Sequence, residues 1–221
     1  MYDARVKLSE QVAQEVRGRL NQAGVLAINV MASPGAGKTT LILKMIEKLG
    51  SRLRIGVIEG DTAPVTIDAD KITAAGMPAV QINTGGDCHL DASMVAQGLN
   101  ALPLAELDLV IVENVGNLIC PAAFDLGTHI NLLIASVPEG DDKPLKYPHM
   151  FSVVDVLLIN KIDALAFFDF DFEAVSQRVK QLNPNIEIIP ISAKTGQGID
   201  QWAAWIRREV RRWQSADGQP Q

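Results

Sequence analysis

Short apolar runs alternate along this chain with stretches whose apolar residues return every three or four positions. Runs at Val25–Met31, Leu53–Ile58, Ala79–Ile82, Leu107–Val112, Ile130–Val137, Val153–Ile159 and Ile186–Ile191 have the length and composition of buried strands. Between them the spacing turns helical. Leu8, Val12, Val16 and Leu20 share one face of a helix over about Arg5–Asn21, with Gly24 at its C-cap. Packing on its own domain is the simpler use of that face. Further helices are expected after Thr40, from Asp61 or Thr62 (either a capping residue) through Ala75, from the Asn83–Asp91 segment to about Asn100, over about Phe172–Leu182 and over Ile199–Trp213. In the last of these, Ile199, Trp202, Ile206, Val210 and Trp213 form a stripe suited to a core or a partner. Pro138–Pro148 reads as a polar loop.

Strands alternating with helices predict an α/β fold, a mostly parallel sheet with helices on both faces. Such sheets bind ligands at the carboxyl ends of their strands, where the polar motifs of this chain fall. The pattern divides the chain into an N-terminal amphipathic helix (1–24), one domain (25–213) and a flexible tail (214–221). Its 221 residues, 48% hydrophobic and 21% charged, suit a single globular core. A net charge of −6 without a basic patch argues against nucleic-acid binding. With no signal peptide and no apolar run of membrane-spanning length, a cytoplasmic protein without membrane association is expected.

The strand at Val25–Met31 leads into Ala32-Ser33-Pro34-Gly35-Ala36-Gly37-Lys38-Thr39-Thr40, and a helical repeat follows. Strand, glycine loop and helix are the setting of a phosphate-binding P-loop, so a P-loop NTPase fold is expected. The glycines let successive N–H groups converge on phosphate oxygens, and the helix N-terminus adds to the anion site. Gly35, Ala36, Gly37, Lys38, Thr39 and Thr40 are the candidate phosphate ligands. Lys38 would place its charge near the β/γ-phosphates, and the Thr39 hydroxyl would ligate Mg²⁺. Ala32 stands where the motif has its first glycine.

Asn160-Lys161-Ile162-Asp163 directly follows the strand Val153–Ile159, as the guanine-reading element of GTPases does. Asp163 could accept from guanine N1–H and its exocyclic amine, donors that adenine does not present in that arrangement. Asn160 could bond N7 and tie down the P-loop, with the Lys161 stem over the base. Ser192-Ala193-Lys194 resembles the third guanine element, with the Ala193 N–H aimed at O6 and Lys194 stacking. GTP and GDP are therefore the expected nucleotides. Glu113-Asn114-Val115-Gly116 sits where many GTPases have D-x-x-G: Glu113 would reach Mg²⁺ and Gly116 the γ-phosphate. Asp61, at the tip of the second strand, could reach Mg²⁺ or the attacking water. Lys38, Asp61, Glu113 and Gly116 are the candidate catalytic set, and Thr39, Asp61 and Glu113 the Mg²⁺ set. No glutamine follows Gly116, so slow intrinsic hydrolysis is expected.

Cys88 and His89 are not explained by nucleotide binding. Glycines before them and a helix after them suggest a helix N-terminus, which would lower the thiol pKa. The other cysteine, Cys120, lies four residues past Gly116. Two thiolates and an imidazole suit planar Ni²⁺ or tetrahedral Zn²⁺. Asp91 could orient His89 or serve as a first-turn helix acid. His129 and His149 have no ligand-spaced partner. Because Cys120 shares a segment with Gly116, nucleotide state is expected to move it, while Cys88 and His89 need not follow.

Gly85-Gly86-Asp87-Cys88-His89-Leu90-Asp91-Ala92, Glu113-Asn114-Val115-Gly116-Asn117-Leu118-Ile119-Cys120-Pro121-Ala122 and Phe124-Asp125-Leu126-Gly127 closely resemble the hydrogenase nickel-incorporation GTPase family, HypB. Glu139–Pro144 and Lys146–Phe151 extend the resemblance over nearly the whole chain. It implies a GTP-hydrolysing metallochaperone that dimerises and helps load nickel into [NiFe]-hydrogenase. The implied partners are a second nickel-maturation protein and the hydrogenase large subunit. The family's G-domain metal ligands fall on Cys88, His89 and Cys120. The N-terminal cysteine motif and histidine-rich tract of some members are not found before the P-loop here. The urease accessory GTPase is the more distant likeness, since its expected Cys-Pro-His is matched neither at Cys88-His89 nor at Cys120-Pro121-Ala122. A nucleotide-gated scaffold with incidental hydrolysis is the non-enzymatic alternative.

Overall fold

The structure, a computed structural model, describes residues 2–63 and 66–215, with residues 2–8 as backbone only. The Leu8 side chain and the expected tail from 216 onward lie outside the described residues. The strands are β1 (Leu26–Ala32), β2 (Ile55–Asp61), β3 (Ala79–Asn83), β4 (Leu109–Glu113), β5 (Ile130–Ser136), β6 (Val156–Asn160) and β7 (Glu187–Pro190). They form one sheet in the order β3-β2-β4-β1-β5-β6-β7, and every pairing is parallel. The helices are α1 (Tyr2–Ala23), α2 (Lys38–Leu49), α3 (Ile67–Ala74), α4 (Ala92–Ala101), α5 (Lys143–Lys146), α6 (Pro148–Ser152), α7 (Phe172–Leu182) and α8 (Ile199–Gln214).

The strands are apolar throughout because both faces are covered. Along β1, Leu26, Ile28, Val30 and Ala32 join α2 and α8 in one cluster, while Ala27 and Met31 turn to the other face. There α1 and α4 cover one half of the sheet and α6 and α7 the other. Of the α8 stripe, Ile199, Trp202, Ile206 and Val210 lie in the core and Trp213 packs against it half-buried, while Trp205, outside the stripe, is buried with them. Fully burying each large aliphatic side chain contributes about 1.5–3 kcal/mol, and this doubly covered sheet is where most of that is collected. Val16 and Leu20 place α1 in the same core rather than on a partner.

Asn29 interrupts the apolar face between its two halves. Its amide donates to Asn131 Oδ1 at 3.1 Å and its carbonyl accepts from Asn114 Nδ2 at 3.1 Å, so a row of amides, buried at Asn114 and Asn29 and half-buried at Asn131, runs from the end of β4 across β1 to β5. The row ends where Asn131 donates to the Val153 carbonyl at 3.3 Å. His129 is structural. Its Nδ1 accepts the Ala27 N–H at 2.9 Å, its Nε2 meets Asn21 Oδ1 at 2.9 Å, and its ring lies 3.9 Å from that of Trp213. Burial, then the Arg17 charge, pushes its pKa down to about 4, so it stays neutral.

Three local expectations need correction. The segment Pro138–Pro148 is not only loop: it holds α5 and leads directly into α6. The third helix starts at Ile67, not near Asp61, because β2 extends to Asp61. The Asp61 carboxylate therefore caps no helix and accepts the Ala63 N–H at 3.2 Å. Among the described residues no helix is long and apolar enough to cross a membrane.

Candidate nucleotide and metal site

At the carboxyl ends of the central strands, the loop after β1 curls as a phosphate loop requires. Ala32 is the last strand residue and fully buried, so it lies before the turn and needs no glycine freedom. Gly35 and Gly37 do need it, with φ of 75° and 103°. A Cβ on Gly37 would also lie 2.6 Å from Asn160 Nδ2. Lys38 opens α2, which is buried through Leu41, Ile42, Met45, Ile46 and Leu49. A cleft of about 520 Å³ follows the loop, lined by Gly35, Gly37, Lys38, Thr39, Thr40, Asp61 and Gly116, among others. Gly116 is pressed against the loop, since a Cβ there would sit 3.0 Å from Pro34 Cα.

Carboxylates converge under this cleft. Thr39 Oγ1 lies 3.0 Å from Asp68 Oδ2 and 3.0 Å from Glu113 Oε1. A hydroxyl has one proton to give, so it cannot satisfy both acceptors. Glu113 Oε2 and Glu59 Oε2 are buried with no hydrogen-bond partner among the described residues. Glu59 and Glu113 are side by side in the β2–β4 register. Burial, then the charges of Glu113, Asp61 and Asp68, raises the Glu59 pKa to about 8. Burial likewise raises Glu113 to about 7, although Lys38 and Thr39 oppose it. Burial would also lift Asp68, but hydrogen bonds from Lys71 and Thr39 outweigh it and hold its pKa low. A surplus of carboxylate oxygens around one hydroxyl is the donor set of a hard divalent cation, so Mg²⁺ fits here. Thr39 and Glu113 were expected in this cluster. Asp61 lines the cleft without touching Thr39, whereas Asp68 and Glu59 were not anticipated. In the structure Asp68 lies in the first turn of α3, a position the sequence did not reveal; a glutamate ending an apolar run was the only signal for Glu59.

The base-side residues are joined to the phosphate loop. Asn160, 2% exposed, donates Nδ2 to the Ala36 carbonyl at 2.8 Å. Its Oδ1 accepts from Lys161 N at 2.8 Å and Ala193 N at 3.0 Å. Lys161 takes a left-handed conformation, φ 61°, and its Nζ donates to the Gly35 carbonyl at 2.7 Å. Ser192 donates its hydroxyl to Asp163 Oδ1 at 2.6 Å, orienting an otherwise exposed carboxylate. Lys194 is exposed beside them. One expectation changes: the Ala193 N–H is already given to Asn160, so recognising O6 requires that bond to be shared or exchanged.

Cys88, His89 and Cys120 are brought together, with one ligand atom from each within 4.8 Å of the others. The two Sγ atoms are 2.9 Å apart, and Cys88 Sγ lies 4.0 Å from His89 Nδ1. The His89 ring stacks on Phe124 with centroids 3.9 Å apart. Cys88 and His89 do not begin a helix: α4 starts at Ala92, and Asp91 is its N-cap, accepting Met94 N–H at 2.8 Å. Asp91 is thus a capping residue and does not orient His89. Without the helix end, the Cys88 thiol pKa is raised rather than lowered, first by its contact with Cys120 and then by burial. Nor is the Cys88–Leu90 stretch independent of the Glu113–Cys120 segment: Asn114 Oδ1 accepts Leu90 N–H at 3.0 Å and Asn117 Nδ2 donates to the Cys88 carbonyl at 3.2 Å.

Residues 26–190 match the family described as CobW/HypB/UreG, nucleotide-binding domain. The chain is 49% identical to hydrogenase maturation factor HypB of Azotobacter vinelandii over 201 residues, covering 91% of this chain but 66% of that protein. Among solved structures it resembles HypB of Archaeoglobus fulgidus, with a TM-score of 0.86 and 37% identity over 92% of this chain and 99% of that one. It also resembles HypB of Helicobacter pylori in complex with nickel, with a TM-score of 0.88 and 36% identity over 94% and 98% of the two chains. A P-loop fold, a family match across the sheet and these identities agree: this chain belongs to the HypB family of CobW/HypB/UreG nucleotide-binding domains.

Proposed function

We propose that this chain is a GTP-hydrolysing metallochaperone that delivers nickel during [NiFe]-hydrogenase maturation, with its metal affinity set by nucleotide state. The observation that carries this reading is the convergence of Cys88, His89 and Cys120 beside the segment that starts at Glu113 and Gly116. The nickel complex of the Helicobacter pylori relative supports nickel as cargo. Residues 25–213 would form the GTPase domain, with 1–24 as an added helix and 214–221 as a tail.

In this reading the Gly35–Thr40 backbone and Lys38 hold the β- and γ-phosphates, and Asp163, oriented by Ser192, selects guanine. Thr39, Glu113 and Asp68 would hold Mg²⁺, which when bound supplies charge to offset the phosphate oxygens; Asp61 is close enough to the cleft to join them. Lys38 stabilises the charge that develops as water displaces GDP from the γ-phosphorus. Gly116 offers its N–H to the γ-phosphate, and Asp61 can orient the water. Without a glutamine after Gly116, turnover by the chain alone is slow. The partners proposed are a second copy of the chain, a further nickel-maturation protein and the hydrogenase large subunit, in the cytoplasm. Phe167, 83% exposed, and Leu145, 64% exposed, are apolar surface that such contacts would cover.

The test is nickel and zinc titration with GDP and with a non-hydrolysable GTP analogue, in wild type and Cys120→Ala. Affinity that differs between nucleotide states in wild type, and is lost in Cys120→Ala, is expected. Equal affinities in both states of the wild type would overturn the coupling, and normal binding by Cys120→Ala would remove Cys120 from the site.

A further inference from the structure

Two asparagines of the Glu113–Cys120 segment hold the backbone that carries Cys88 and His89. Asn114, fully buried at the end of β4, accepts both Leu90 N–H and Val115 N–H at 3.0 Å, and its amide is fixed in the sheet through Asn29. Asn117, half-buried, donates to the Cys88 carbonyl at 3.2 Å and accepts Ile119 N–H at 2.9 Å. They stand on opposite sides of Gly116, the residue pressed against Pro34 of the phosphate loop. Asn114 precedes Gly116 and is tied to β1. Asn117 follows it and leads directly to Cys120. The backbone from Cys88 to Leu90 is therefore pinned at its far end by Asn114 and held at its near end by Asn117, a residue between Gly116 and Cys120.

We propose that Asn117 is a positioning residue that transmits nucleotide state to the Cys88 half of the metal site, through its amide on the Cys88 carbonyl. This rests on the nucleotide-coupled metal site proposed above and names the contact that carries the coupling. Of the two tethers, the one at 3.2 Å on a half-buried side chain is the one that yields when Gly116 and Cys120 shift. When it breaks, the Cys88 peptide turns about a Leu90 that stays in place, and the sulfur leaves its position beside His89. A hydrogen bond made in one nucleotide state and absent in the other adds its free energy to metal affinity in one state only. By linkage, nickel must change nucleotide affinity by the same factor.

Asn117→Ser isolates this contact. A serine hydroxyl can still accept Ile119 N–H and keep the turn, but it is too short to reach the Cys88 carbonyl. Nickel affinity would be measured by competition with a chromophoric chelator, in GDP and in a non-hydrolysable GTP analogue, for wild type and Asn117→Ser. Asn117→Asp, which also keeps the acceptor and lacks the donor, serves as the second variant. The expected result is a loss of about two- to tenfold, the net value of one hydrogen bond, in one nucleotide state only, so that the ratio between states shrinks in both variants. An equal change in both states, or the wild-type ratio retained in both variants, would overturn the role of Asn117 while leaving a coupled wild type intact. A wild-type ratio of one would instead overturn the coupled site itself.

Discussion

Asn160 is the joint between the phosphate loop and the base-reading loops, and removing its side chain tests how that half of the site is built. In Asn160→Ala three hydrogen bonds disappear: to the Ala36 carbonyl, from Lys161 N–H and from Ala193 N–H. At about 0.5–1.5 kcal/mol net for each, the loss is roughly 1.5–4.5 kcal/mol, towards the upper end because the residue is 2% exposed and its partners stay out of water. Asn160→Asp divides the sum. Its Oδ1 still accepts both N–H groups, but the atom facing the Ala36 carbonyl becomes a second acceptor, so the phosphate-loop tie alone is broken. Urea unfolding of the nucleotide-free protein measures stability, and fluorescent GDP binding measures the site. Asn160→Ala should lower stability by about 3–4 kcal/mol, in the upper part of that range, and weaken GDP at least tenfold. Asn160→Asp should lose much of the GDP affinity with a smaller loss of stability. An unfolding midpoint unchanged in Asn160→Ala, with GDP affinity also unchanged, would refute this account of the joint.

Asp163→Asn should weaken GDP by about 1–3 kcal/mol and favour xanthosine diphosphate, whose base carries a carbonyl where guanine has its amine; equal loss for both nucleotides in a binding assay would refute guanine reading. Lys38→Ala should abolish GTP turnover in a phosphate-release assay yet retain nickel in a chelator competition, since Lys38 is outside the Cys88–His89–Cys120 cluster. Glu59 and Glu113 have folded pKa values of about 8 and 7, raised from 4.5 by burial. The folded protein therefore holds protons that the unfolded chain gives up. That contribution is complete below 4.5 and is lost as pH rises towards 8, so the unfolding midpoint of the chelator-treated, nucleotide-free protein should fall across this window. A midpoint that rises with pH would contradict it.

What the sequence made legible was whatever lies close together along the chain. Apolar runs located the strands, glycine spacing located the phosphate loop, and Asn160-Lys161-Ile162-Asp163 was readable as a unit. Cys88 and Cys120, 32 residues apart, were paired by their ligand chemistry, by their place on the ligand side of a parallel sheet and by the family resemblance. The missing parts depend on where the fold brings distant elements. Asp68 reaches Thr39 because α3 starts at Ile67, and β2 had to run to Asp61 for that to happen. Asn114 and Asn117 sat in plain view, but nothing in a linear reading says which backbone an asparagine amide will hold. The Cys88 thiol was misjudged for a related reason: a helix end moved by three or four residues no longer touches the sulfur.

The amide row across the centre of the sheet has a consequence for how the chain avoids misalignment. Strands β4, β1 and β5 are so uniformly apolar that sliding one past its neighbour by two residues would keep each side chain on its original face. Hydrophobicity alone does not forbid that error. The asparagines do, because Asn29 meets Asn131 and Asn114 only when Asn29 lies opposite Asn131 and Val112. A slipped sheet would strand their amides in hydrocarbon at about 1–3 kcal/mol for each unsatisfied group. The alignment they enforce also sets Val30 opposite Glu113, and so fixes the height of the phosphate loop above the carboxylate that faces Thr39. Three asparagine amides, two of them buried and that of Asn131 half-buried, thereby act as a key for the sheet, and the geometry of the cleft follows from the register of its strands.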